Sequence, residues 1–260
     1  MSLLGPLQQR AARNGLNLFG LVDAQRFDGC QPCEQRSTSV LPGCGTILVL
    51  GTAGQSFWLE FQRQGRGLSE RPTCEEVEEL VASSVDAVAD ELEQAGLRWT
   101  KVDARWPRLN FGRLAEAAGF GIVSPVSGML LNPTYGPWLR VRAALLIEGR
   151  PFGQVDDASI TDRFKPCCTC DRPCVEACPP KVHVDLGRAD RERCASHRDD
   201  GGCETGCGSR KACPIGTEHA DGDGMPLHAH TIDRRTLQRW YGLGWWRFVP
   251  RAFRGGPRPR

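Results

Sequence analysis

The sequence predicts an α+β protein made of unlike parts. A helix-covered sheet is expected over residues 1–160, a smaller cysteine-organised unit over 161–220, and a basic aromatic segment over 221–260. Three observations predict this. Strand-like and helix-like hydrophobic periods alternate through the first 150 residues or so. Near Gly149 the texture changes to Gly, Pro, Asp and Cys with few apolar runs. Nine of the 13 cysteines then fall in the 47 residues from Cys167 to Cys213.

Each element has a local reason. Leu3 to Asn14 reads as a helix ended by Gly15, followed by a short buried strand at Leu16–Val22. Thr46–Thr52 (TILVLGT) is β-rich and bracketed by glycines, which predicts a central strand. Thr73 and Glu76 match a capping box for a helix running to Gly96. Along that helix Val77, Leu80, Val81, Val85, Val88, Ala89 and Leu92 recur at three- and four-residue steps and predict one core-facing stripe. Leu97–Asp103 reads as a strand, Leu109–Gly119 as a short helix and Trp138–Glu148 as another strand. Such a mixture implies a sheet covered by helices.

Composition excludes other classes. With 40% hydrophobic and 25% charged residues and a net charge of +2, the chain matches neither a disordered nor a membrane protein. No window approaches the roughly 18 apolar residues of a membrane helix. The opening MSLLGPLQQRAARNG has no apolar core or small-residue cleavage site, so a cytoplasmic location is expected, where structural disulfides are rare.

After Gly149 burial alone is insufficient, and ligation is expected to supply the missing folding energy. The first cysteine group is Cys167-Cys168-Thr169-Cys170-Asp171-Arg172-Pro173-Cys174-Val175-Glu176-Ala177-Cys178-Pro179. From Cys167 the spacing is that of the ferredoxin run C-x2-C-x2-C-x3-C-P with one residue inserted. Cys194, Cys203, Cys207 and Cys213-Pro214 form a looser second group with the same ending. In the ferredoxin run the fourth cysteine serves the other cluster. That rule predicts one [4Fe–4S] cluster on Cys167, Cys170, Cys174 and Cys213, and another on Cys178, Cys194, Cys203 and Cys207, leaving Cys168 spare. The alternatives are zinc, to which His183, His197 and His219 could contribute, and a disulfide framework. Two Cys-Pro endings are not a zinc signature. Cys30-Gln31-Pro32-Cys33 is formally C-x2-C but lacks the strand-to-helix setting of a redox pair, and Cys44 and Cys74 read as ordinary small residues.

Five segments carry a resemblance: AARNGLNLFGLVDAQRFD, LPGCGTILVLG, KVDARWPRLNFGRLAEAAGFG, LNPTYGPWLRVRAALL and CCTCDRPCVEACPP. In this order they resemble the core of the epoxyqueuosine reductase family, cobalamin-dependent two-cluster iron–sulfur proteins related to reductive dehalogenases. The resemblance covers about residues 8–215. It implies a nitroreductase-like α/β domain carrying cobalamin, then a ferredoxin-like domain with two [4Fe–4S] clusters. It places Asp103, in Lys101-Val102-Asp103-Ala104-Arg105-Trp106-Pro107, in the segment of the family's proton-donating aspartate, and matches Cys168 to a non-ligand position. Two features depart from the family. Gly119-Phe120-Gly121 runs into Ile122-Val123-Ser124-Pro125 where members carry a tryptophan and a Gly-Lys pair, and the larger members' helical-repeat region for tRNA has no counterpart.

The expected function is thus an iron–sulfur oxidoreductase that passes low-potential electrons to a cobalamin or substrate site. The alternative is a two-cluster electron carrier or cobalamin-handling protein without substrate chemistry of its own. A ferredoxin- or flavodoxin-type donor, a small-molecule or nucleoside/tRNA substrate, and no membrane are the expected partners. The last 30 residues carry eight arginines against one aspartate. Their interleaved Trp240, Tyr241, Trp245, Trp246 and Phe248 suit either nucleic-acid contact or docking onto the acidic body, and docking is the reading preferred. Asp221-Gly222-Asp223-Gly224 reads as a turn and not a calcium loop, and the His228/His230 pair as incidental.

Overall fold

The computed structural model describes residues 3–65, 74–104, 109–185, 187–204, 206–220 and 234–254. Chain order begins α1 (Leu4–Arg13), β1 (Leu18–Asp23), α2 (Ala24–Gly29), β2 (Cys44–Ala53), α3 (Ser56–Arg63), α4 (Cys74–Gln94) and β3 (Trp99–Asp103). It continues with α5 (Phe111–Ala117), β4 (Ile122–Val123), β5 (Leu130–Leu131) and β6 (Leu139–Glu148). The protein is α+β: β1, β2, β6 and β3 form an antiparallel sheet in that order.

The two central strands explain their own sequences. Alternate side chains of a strand point to opposite faces, and both faces of β2 and β6 are covered, so both strands are apolar almost throughout. Leu48, Leu50, Ala143, Leu145 and Ile147 pack with α1, α3 and the full predicted stripe of α4. Ile47, Val49, Ala144 and Leu146 pack on the other face with Phe27, Leu114 and Phe120. Each fully buried leucine of this kind stabilises by roughly 1.5–3 kcal/mol relative to exposure.

The differences from expectation have physical causes. β1 starts two residues late because the Asn17 amide stands in for a ladder pair: its Oδ1 accepts from Ala53 N–H at 2.7 Å and its Nδ2 donates to Ala53 O at 3.0 Å. α3 (SFWLEFQR) is rich in aromatics of modest helix propensity. It is helical because Phe57 and Phe61, one turn apart, are both buried in the core. Thr73 of the expected capping box, the loop 221–230 and the histidines within it lie outside the described residues.

Among the described residues after 160 the elements are short: α6 (Pro173–Glu176), β7 (His183–Asp185), β8 (Arg188–Ala189), α7 (Arg191–Asp199), α8 (Gly208–Lys211) and α9 (Arg234–Tyr241). It meets the earlier part at the β4–β5 hairpin, where Ile122 and Leu131 pack with Phe164, Cys213 and Ile215. Gly136 (φ +52°) lies so close to the Ile215 carbonyl that a Cβ would overlap it.

α9 docks on α7. Leu237 and Trp240 are buried, and Asp199 accepts from Arg234 Nε and Gln238 Nε2 at 2.8 Å each. The docking reading of the tail therefore holds for these residues. It fails for Trp245, Phe248 and Phe253, which are 63%, 76% and 77% exposed. No helix among the described residues is long and apolar enough to cross a membrane.

Candidate metal centres

The first thiol group is shaped by short local devices. Cys167 lies in a 3-10 turn, Pro166–Cys168. Arg172, at φ 59°, reverses the chain, and Pro173 then opens α6 at a position where its missing N–H costs nothing. Cys167, Cys170 and Cys174 consequently line one cavity of about 90 Å³, and Cys213 reaches the same cavity from 39 residues further on. Ser124, Ser127, Met129 and Leu131, on and around the β4–β5 hairpin, close its other side.

Electrostatics groups the thiols in the same way. Burial pushes the Cys174 thiol up, and Cys213, Cys167 and Cys170 add to it. Burial likewise raises Cys213, with Cys167 and Cys170 pushing in the same direction. The second group is equally self-contained. Cys194 is raised by burial and by Cys207, Cys203 and Cys178, against a lowering influence from Arg198. Cys203 is raised by burial, then by Cys207 and Cys178, while the Gly208 backbone opposes. Cys178 thus acts electrostatically on Cys194 and Cys203, although only three residues separate it from Cys174. Cys213 faces residues 167–174, although Cys207 is nearer in sequence. These eight are the cysteines the spacing singled out as ligands. Cys168 is exposed and does not line the cavity.

Two kinds of polar contact reach these sulfurs. Backbone N–H groups of Arg172 and Val182 approach Cys170 Sγ and Cys178 Sγ at 3.4 and 3.5 Å. Ser124 Oγ accepts from Val126 N–H and Ser127 N–H at 3.1 and 3.0 Å, so its own proton is available to Cys167 Sγ at 3.3 Å. Hydrogen bonds to cluster sulfurs are among the levers that set reduction potential.

Among the described residues no group of three or more His, Cys, Asp or Glu side chains is placed to hold a metal ion. Cys167, Cys170, Cys174 and Cys213 nonetheless share one cavity. His183 Nε2 is instead engaged with Ser209 Oγ at 2.9 Å, and the His219 ring packs 4.7 Å from that of Tyr135.

The remaining candidates fall elsewhere. Asp103 is half-buried at the end of β3, opposite Ala143, and is not part of the cavity lining. The Arg105–Arg108 segment after it lies outside the described residues. Cys30 and Cys33 are exposed, one following α2 and the other opening a 3-10 turn, while Cys44 is buried. Sequence reasoning missed Ser124, Ser127, Met129 and Leu131. They carry no local signal, since only the docking of the hairpin against residues 164–215 makes them part of a site.

No family model and no curated protein matches the sequence. Solved structures do match in fold. An epoxyqueuosine reductase with an epoxyqueuosine-modified tRNA stem loop matches with a TM-score of 0.62 and 16% identity, over 97% of this chain and 77% of that one. Epoxyqueuosine reductase from Bacillus subtilis, with its catalytic aspartate loop swung out of the active site, matches with a TM-score of 0.60 and 17% identity, over 97% and 77%. A reductive dehalogenase whose structure suggests a mechanism for B12-dependent dehalogenation matches with a TM-score of 0.54 and 18% identity, over 86% of this chain and 32% of that one. At such identities the likeness is one of fold.

Proposed function

We propose that the protein is an iron–sulfur oxidoreductase in which each thiol quartet holds one [4Fe–4S] cluster, and that it delivers low-potential electrons to a substrate site on its sheet part. The observation that supports this reading is that Cys213 lines one cavity with Cys167, Cys170 and Cys174, while Cys207, Cys203 and Cys178 act electrostatically on Cys194. When bound, the clusters supply one-electron transfer.

The chain's own residues do the rest. The eight cysteines would hold the metal, and Ser124 Oγ and the backbone N–H groups of Arg172 and Val182 contact Cys167, Cys170 and Cys178 sulfur. Met129, Leu131 and Ile215 give the first site an apolar wall. α6 packs on α8, where Gly208 approaches the Ala177 carbonyl, which keeps the two quartets adjacent. The first quartet abuts the hairpin and thus the sheet; the second lies on its far side, along α7. The contact of the first quartet's cavity with the hairpin supports entry at the second quartet and exit at the first. The proposed units remain 1–160, 161–220 and 221–260, with a cytoplasmic location. Asp103 is the proposed proton donor, because each electron pair delivered to a closed site must be matched by protons.

The fold likeness to a B12-dependent enzyme is what supports cobalamin. The cavities described here do not fit it. One is the thiol-lined space of about 90 Å³, and the other, about 320 Å³ beside Gln25, Asp28, Arg36 and Thr38, is at the low end even for drug-sized ligands. No step of this reading runs through it. A nucleoside or tRNA substrate is supported by the stem loop bound to the similar reductase.

Anaerobic iron, sulfide and cobalamin analysis of the purified protein is the test. About eight iron and eight sulfide per chain are expected. Zinc without sulfide would overturn the reading.

A further inference from the structure

We propose that the surface built by α7, α9 and the turns up to Arg254 is the docking site for a small acidic one-electron carrier protein. It would deliver electrons at the quartet Cys178, Cys194, Cys203 and Cys207, so the inference rests on reading those thiols as cluster ligands.

Charge is the first observation. Residues 234–254 contain six arginines and no carboxylate. Of the two acids on α7, Glu192 is exposed and Asp199 is already engaged by Arg234 and Gln238. Arg191, Arg235 and Arg247 remain exposed.

Apolar exposure is the second. Trp245, Phe248 and Phe253 stand 63–77% exposed on a segment that is otherwise anchored. Arg251 donates to the Trp240 carbonyl, and Arg254 donates to the carbonyls of Val249 and Arg247. These arginines clamp the turns and hold the aromatics outward. Internal packing has no use for rings in that position. Aromatic residues and arginine are the types enriched at protein interfaces, and charge complementarity speeds encounter.

Position is the third. Cys194 lies on α7, against which α9 packs. The hairpin closes one side of the first quartet, whereas the second has a ligand, Cys194, on the helix that carries the patch. Arginine with exposed aromatics also suits single-stranded RNA. The patch sits on the ligand helix of the second quartet, where an electron carrier has a reason to bind and an RNA substrate has none. In each encounter the carrier is oxidised by one electron and this protein is reduced by one, with no bond or proton moved.

The test uses the cluster-loaded full chain and an acidic plant-type [2Fe–2S] ferredoxin as probe. Affinity for the oxidised ferredoxin is read by calorimetry, and anaerobic reduction by the reduced form by stopped flow. Raising salt from about 50 to about 300 mM should weaken binding about tenfold or more. The R235E/R247E variant should do the same at low salt. The W245S/F248S variant should weaken binding while keeping the salt slope. Dithionite should reduce every variant equally, which shows that the clusters are intact. The proposal is overturned if dithionite-reducible clusters are present and charge reversal changes neither affinity nor rate. It is also overturned if a tRNA stem loop binds the patch and excludes ferredoxin. Absence of iron and sulfide from the native protein would overturn the cluster reading itself, before any ferredoxin is added.

Discussion

Replacing Cys213 by alanine distinguishes a quartet assembled across 39 residues from one assembled among sequence neighbours. Cys213 is 8% exposed and lines the cavity formed by Cys167, Cys170 and Cys174. The substitution removes one sulfur and little packing volume, and the two main cores contain no part of this residue. The sheet should therefore survive and one cluster should be lost, taking iron from about eight to about four per chain, with sulfide in step. A second substitution identifies which cluster went. Cys213→Ala with Cys174→Ala should still hold about four iron, since both residues serve one site and their effects cannot add. Cys213→Ala with Cys207→Ala should hold almost none. Anaerobic iron and sulfide determination reads this directly, and spin quantitation of the reduced samples provides an independent count. If the Cys213/Cys207 double variant kept four iron and the Cys213/Cys174 variant lost all, the crossing of Cys178 and Cys213 would be wrong.

Further outcomes follow from the same geometry. Cys168→Ser should retain the full iron content, because that thiol is exposed and outside the cavity; cluster loss in this variant alone would reassign the ligands. Gly136→Ala forces a Cβ onto the Ile215 carbonyl at φ +52°, so it should cost about 1–3 kcal/mol in denaturant unfolding and loosen the Cys213 side of the first site. An unchanged midpoint would show that this contact is not needed. On the proposed reading, Asp103→Asn should slow substrate reduction by about 10²–10⁴-fold with iron content unchanged; a parallel loss of iron would make the residue structural.

Acidity supplies another check. Burial first, and neighbouring thiols next, hold Cys174, Cys194 and Cys203 above the ordinary thiol value of 9.0. Metal must displace protons that these groups hold tightly, so protons compete better as pH falls. Iron retention against a chelator should accordingly fall between about pH 8 and about pH 6. Retention independent of pH would contradict the thiol ligands.

Much of the scaffold was legible because its signals are local. The stripe of α4 repeats every three or four residues, and the apolar runs of β2 and β6 announce strands covered on both faces. The clustering of cysteines was legible as a shared site, since loop spacing of two or three residues already brings thiols to one side of a turn. α3 was not legible, because its aromatics favour a helix only once Phe57 and Phe61 have a core to enter. β1 was displaced by a single asparagine amide whose partner lies 36 residues away.

The sequence by itself determined the α+β class, the central strands, the long helix and the chemical type of the donors. Only the tertiary structure decided what surrounds those donors. Ser124 and Met129 reach the thiol cavity because a hairpin packs against a chain segment more than 80 residues later, and glycine at 136 permits that approach. Trp240 enters the interior while Trp245 stays out, although both stand in the same arginine-rich run. Local spacing sets which side chains can act together. Long-range packing sets which of them meet, because burial and close backbone approach depend on residues that sequence proximity does not connect.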